Sequence, residues 1–174
     1  MKILGIAGYS GSGKTTLIEK VVPLLVKDGL RVSLVKHAHH EFDVDRPGKD
    51  SWRHREAGCT EVLVSSSRRW ALMHELRGDA EPSLEEQLRH LSPCDLVLVE
   101  GYKRDPIARI EVHRSGGERP LLFPGDPHVI AVASDVPLET ALPRFDLDDA
   151  RGIARFIADF VAGGRERRLS AVSD

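Results

Sequence analysis

Eight consecutive residues, Gly8-Tyr9-Ser10-Gly11-Ser12-Gly13-Lys14-Thr15, constrain this chain more than any other feature. They match the spacing Gly-x-x-x-x-Gly-Lys-[Ser/Thr] without a departure. An apolar run, Ile3 to Ala7, precedes them and reads as a buried strand. After them, Leu17, Ile18, Val21, Val22, Leu24 and Leu25 recur at helical spacing from Thr15 to Asp28. A strand, a glycine loop and a helix in that order form a phosphate cradle. The glycines let successive N–H groups turn toward one anion, and the helix start adds its positive dipole end. In such a loop Gly11, Ser12, Gly13, Lys14, Thr15 and Thr16 are the expected phosphate contacts, with Lys14 reaching the outer phosphates. The Thr15 hydroxyl is expected to hold Mg²⁺.

The strongest strand in the chain is Leu96-Val97-Leu98-Val99, and it runs into Glu100-Gly101. An acid at the end of a strand neighbouring a phosphate loop commonly supports the metal. Glu100 is therefore expected in the Mg²⁺ shell, with Lys14 and Glu100 as the catalytic pair of any hydrolysis. Asp95 lies at the opposite end of that strand and reads as its N-terminal punctuation.

Further strands are expected at Arg31–Lys36, Glu61–Val64, Trp70–Met73, Arg109–Val112 and Val129–Ala133. Helices are expected at Asp50–Ala57, Pro82–Leu91 and Asp148–Val161, with Pro23 kinking the first helix and Gly29 ending it. Strands that alternate with helices imply βαβ units. The expected fold is α/β, a P-loop NTPase-like three-layer arrangement with a mainly parallel sheet. With 174 residues, one nucleotide-binding domain over 1–162 and a flexible C-terminal tail over 163–174 are expected.

Composition narrows the function. Lys plus Arg is 25 and Asp plus Glu is 27, a net charge of −2, which speaks against a dedicated duplex-binding protein. No apolar run approaches the ~18 residues of a membrane span. No signal-peptide pattern precedes the first strand, so a cytoplasmic location is expected. Cys59 and Cys94 are too few for a disulfide framework and lack metal-pair spacing. The chain contains no Asn, so the Asn-Lys-x-Asp signature for guanine cannot occur. Asp135, just beyond the late strand, could accept from guanine N1 and N2, or could simply shape a strand-end turn. The single Gln, Gln87, falls in a helix, so a glutamine that orients attacking water is not expected and hydrolysis should be slow.

Two polar blocks stay open on their residues alone. His37, His39 and His40 stand beside Glu41, Asp43 and Asp45. They suit a metal site, a loop that responds to phosphate, or a solvated turn. Arg46, Lys49, Arg53, His54 and Arg55 suit a phosphorylated ligand, an acidic partner, or a salt-bridged surface helix. On these grounds a nickel or zinc metallochaperone GTPase and a small-metabolite kinase are the alternatives.

Five segments together resemble the MobB family of molybdopterin-guanine dinucleotide biosynthesis adaptor proteins. They are the glycine loop through Thr16, Val35-Lys36-His37-Ala38-His39-His40, the run from Asp45 to Cys59, and Val99-Glu100-Gly101-Tyr102-Lys103 with Val132-Ala133-Ser134-Asp135. The resemblance spans about residues 2 to 162. It implies a homodimeric, weakly hydrolytic GTP-binding protein that assists the guanylyltransferase MobA in attaching GMP to Mo-molybdopterin. No nucleic acid or membrane partner is implied.

Overall fold

The computed structural model describes residues 1–38, 42–116 and 119–170. The chain divides into two compact units, Met1–His37 with Gln87–Asp174, and Ala38–Glu86.

The larger unit is built on six strands: β1 (Lys2–Ala7), β2 (Val32–Lys36), β5 (Leu96–Glu100), β6 (Arg109–His113), β7 (Val129–Ser134) and β8 (Arg144–Asp146). Their order across the sheet is β2-β5-β1-β6-β7-β8, and every pairing is parallel. All six therefore point their carboxyl ends to one edge, where ligands bind in open parallel sheets. β1 lies between β5 and β6, so the loop that leaves β1 is flanked by the loops that leave both neighbours.

Side chains that alternate along the strands bury both faces. Leu4, Ile6, Leu96, Leu98, Ile110 and Ala131 face α1 (Lys14–Lys27) and α4 (Ala150–Ser170), which contribute Leu17, Val21, Leu25, Ile153 and Ile157 to the same core. On the other face Arg109 and Glu111 are buried and bonded to the segments around 103–107 and 122–126. Near-continuous apolar strands such as β5 are the expected mark of a sheet covered on both sides.

Some ends match the sequence reading and others differ, each for an identifiable reason. α1 runs through Pro23 to Lys27, because proline removes one N–H without forbidding the helix when packing holds it. Gly29, with φ +86°, closes it, and the Leu30 N–H returns to the Leu25 carbonyl. α4 continues past Val161 to Ser170, since glycine at 163 and 164 lowers helix propensity without ending a helix. β8 carries no sequence signature, being only Arg-Phe-Asp.

The smaller unit contains α2 (Asp50–Glu56) and a two-stranded antiparallel hairpin of β3 (Glu61–Ser65) and β4 (Trp70–His74). Here Arg55 is the organiser. It meets Asp43 at 3.0 Å, Asp45 at 3.5 Å and Glu75 at 2.6 Å, and Ser51 donates to Asp45 at 2.9 Å. α3 (Leu84–Arg89) starts one residue after Ser83 instead of at Pro82. Ser83 and Glu86 exchange bonds as a capping box, which sets that start.

Candidate functional site: a phosphate loop at the carboxyl edge

The segment from Gly8 to Gly13 joins β1 to α1. Gly8 is forced by close approach: a Cβ there would lie 2.4 Å from the Val112 carbonyl oxygen. The loop can sit this low against β6 only because residue 8 has no side chain. Gly13 is the N-cap of α1 and offers no side chain, so the first N–H groups of the helix stay open to an anion. The Ser12 hydroxyl is buried and has no hydrogen-bond partner among the described residues.

Lys14 folds back over its own loop. Its ammonium donates to the carbonyls of Gly8 at 3.0 Å and Tyr9 at 2.9 Å. Burial holds its pKa below the usual lysine value, Glu100 opposes this, and the Lys103 and Lys36 ammoniums push the same way as burial. A lysine beside two other cations is in surroundings that favour an anion's arrival.

Glu100 is buried at the end of β5, and Thr15 opens α1 beside it. The Thr15 hydroxyl faces the Glu100 carboxylate at 3.5 Å, longer than a usual O–H···O bond. Lys36 stands 3.8 Å from the other carboxylate oxygen. Two oxygen donors facing each other beside a phosphate loop suit a small hard cation such as Mg²⁺. The structure therefore brings Gly11, Ser12, Gly13, Lys14, Thr15 and Glu100 together at one end of β1; Thr16 is exposed in the first turn of α1.

On the β6 side, a cavity of about 220 Å³ opens between the loop and the segment after β6, lined by Tyr9, Ser10, Gly11, Arg114, Ser115 and Arg119 among others. Asp135 follows β7 at the same edge. The Ser115 N–H donates to one of its oxygens at 2.7 Å and the Ser115 hydroxyl donates to the other at 3.0 Å. These bonds, the backbone one above all, hold its carboxyl below the usual aspartate range. Asp135 thus ties down the segment after β6.

Sequence reasoning misses Arg114, Ser115 and Arg119. A Cβ on Gly13 would lie 3.3 Å from Arg114 Nη2, which places that guanidinium against the loop. The only signal in the chain is a cation directly after a strand that also reads as β. Arg55 belongs to the smaller unit's carboxylate knot, so the basic run from Arg46 to Arg55 is in part a salt-bridged surface. His37 ends at β2's edge, where its N–H donates to the Glu100 carbonyl and its ring meets Tyr102 at 5.3 Å. His39 and His40 lie outside the described residues. Among the described residues no three His, Cys, Asp or Glu side chains are grouped to hold a metal.

The sequence profile of the family described as "MobB: Molybdopterin guanine dinucleotide synthesis protein B" matches residues 3–135. The chain belongs to the MobB family. It is 45% identical over 162 residues to the molybdopterin-guanine dinucleotide biosynthesis adapter protein of Escherichia coli strain K12, covering 91% of this chain and 93% of that one. The adapter protein of Haemophilus influenzae is 44% identical over 159 residues, covering 91% and 89%. The crystal structure of a MobB homolog from Bacillus stearothermophilus superposes with a TM-score of 0.72 at 28% identity, covering 94% of this chain and 99% of that one. The family match covers the phosphate loop, Glu100 and Asp135 alike. No helix among the described residues is long and apolar enough to cross a membrane.

Proposed function

We propose that this MobB-family adapter binds GTP with Mg²⁺, hydrolyses it slowly, and supports the guanylyltransferase MobA in converting Mo-molybdopterin to molybdopterin-guanine dinucleotide. The observation that carries the reading is the uncapped start of α1 under a loop whose lysine is held by the Gly8 and Tyr9 carbonyls. An open helix start and an ammonium directed at one spot suit polyphosphate. The names carried by the relatives of 45% and 44% identity supply the pathway.

Each residue has a role in this reading. Lys14 and the amides of Gly11 to Thr16 hold the phosphates. Thr15 and Glu100 would hold Mg²⁺, which would supply positive charge to offset that of the phosphates. Asp135 accepts from the guanine edge. Hydrolysis stays slow because Gln87, the single glutamine, is on α3 and not in the segment after Glu100. The protein works as a cytoplasmic homodimer.

The test is a reconstituted guanylylation reaction with purified MobA, Mo-molybdopterin and Mg²⁺–GTP. Adding this protein should raise the yield of the dinucleotide cofactor, and the Lys14→Ala variant should not. Equal yields with and without the protein would refute the adapter role.

A further inference from the structure

The segment Gly101–Ala108 follows Glu100 and is gripped from beneath by Arg109. That side chain is 2% exposed. Its guanidinium donates to the carbonyls of Lys103 at 2.6 Å, Ile107 at 3.2 Å, and Asp105. Asp126 meets its charge at 3.4 Å. A fully buried arginine is rare, and this one directs its donors onto the backbone of one short segment. Such a grip fixes where the next side chains point.

Lys103 is held at both ends. Arg109 takes its carbonyl, and its ammonium stands 4.5 Å over the Tyr9 ring. Tyr9 is part of the phosphate loop, and its own carbonyl accepts from Lys14. The ammonium of Lys103 is near enough to Lys14 to disfavour the charge there, after burial and against Glu100. Gathering a second cation beside Lys14 costs repulsion in the free protein, and an anion between them relieves it. Lys103 belongs to the segment joining β5, which ends in Glu100, to β6, and the same Tyr9 ring carries the Arg119 guanidinium at 5.0 Å.

We propose that Lys103 contacts the terminal phosphate and so distinguishes a nucleoside triphosphate from a diphosphate, with Arg109 as the positioning residue that presents it. This rests on the nucleotide-binding reading above. The aromatic ring of Tyr9 parks the ammonium until the triphosphate arrives. Lys103 would then report the nucleotide's state through the segment that Arg109 holds.

The experiment is calorimetric titration of GTP and GDP, each with Mg²⁺, into the full chain and into Lys103→Ala, Lys103→Arg, Arg109→Lys and Lys14→Ala. Lys103→Ala should lose roughly 10- to 100-fold in GTP affinity, the worth of one charge-assisted contact, while GDP affinity stays within about threefold. Lys103→Arg should keep most of the preference for GTP. Arg109→Lys, which cannot reach the same carbonyls, should lower the GTP-to-GDP ratio in the same direction, a change that general loss of stability would not select for. An unchanged ratio in Lys103→Ala, or equal loss of both nucleotides, would overturn the proposal. Lys14→Ala separates the two readings: it should weaken both nucleotides whatever Lys103 does, and full binding in that variant would overturn the nucleotide reading itself.

Discussion

Gly8→Ala and Gly11→Ala make the same change twice in one loop, and the structure expects different results. Gly11 has φ +82°, and the methyl that alanine would add there meets nothing within 4 Å. Alanine at that position carries only the cost of a left-handed backbone, about 1–2 kcal/mol. Gly8 has φ +150°, and its methyl would lie 2.4 Å from the Val112 carbonyl oxygen and 2.7 Å from Ser12 Oγ. The hydroxyl can turn away. The carbonyl cannot, because Val112 sits inside β6, paired with Ala133 of β7. Overpacking of that kind adds about 1–3 kcal/mol. Gly8→Ala should therefore cost roughly 2–5 kcal/mol against a usual total of ~5–15. It should also lift the loop from β6 and abolish nucleotide binding. Urea unfolding followed by circular dichroism measures the first effect and calorimetry the second. A Gly8→Ala protein as stable as Gly11→Ala, and still binding GTP, would refute the reasoning that β6 sets the height of the loop.

Other outcomes follow from the same geometry. Asp135→Ala should weaken GTP more than ATP, because it removes acceptors for guanine N1 and N2; equal losses in calorimetry would take Asp135 out of base recognition. Acid should destabilise the protein. Ser115 holds the Asp135 carboxyl, and Lys20 the Asp148 carboxyl, below the usual aspartate range. Their contribution is therefore complete above about pH 4 and is lost as pH falls through the lower native values. The melting temperature should drop below pH 4, and Asp148→Asn should flatten that drop. Arg55→Met leaves Asp43, Asp45 and Glu75 facing one another, so amide hydrogen exchange within Ala38–Glu86 should quicken while β1 and β5 stay protected.

The phosphate loop is legible in the chain because each of its requirements is local. A strand, spaced glycines, a lysine and a hydroxyl fall within fifteen residues; Gly8 packs against β6, and Lys14 folds back over the loop onto the Gly8 and Tyr9 carbonyls. Glu100 is legible because β5 is apolar along its whole length and ends in an acid. The capping box at Ser83 and Glu86 is equally local, yet Pro82 one residue earlier is the more conspicuous helix-start signal and masks it. Arg109 and Glu111 are not legible as buried groups. Both alternate within a strand as surface residues would; the carbonyls of 103–107 with the Asp126 carboxylate satisfy Arg109, and the Leu122 and Phe123 amides satisfy Glu111, none of them marked as partners by the sequence. Arg114 and Ser115 are hidden for the same reason: their meaning comes from Gly13 and Asp135, which are remote in sequence. The division at Ala38 and Glu86 has no glycine- or proline-rich linker to mark it.

The central claim is that the Gly8–Thr15 loop binds GTP, and its most direct test is titration of Mg²⁺–GTP into the full chain and into Lys14→Ala. Circular dichroism should confirm that both are equally folded. The account predicts saturable GTP binding by the unmodified chain, weakened when Mg²⁺ is chelated and lost in Lys14→Ala. No binding by the unmodified chain, or undiminished binding by a folded Lys14→Ala protein, would contradict it.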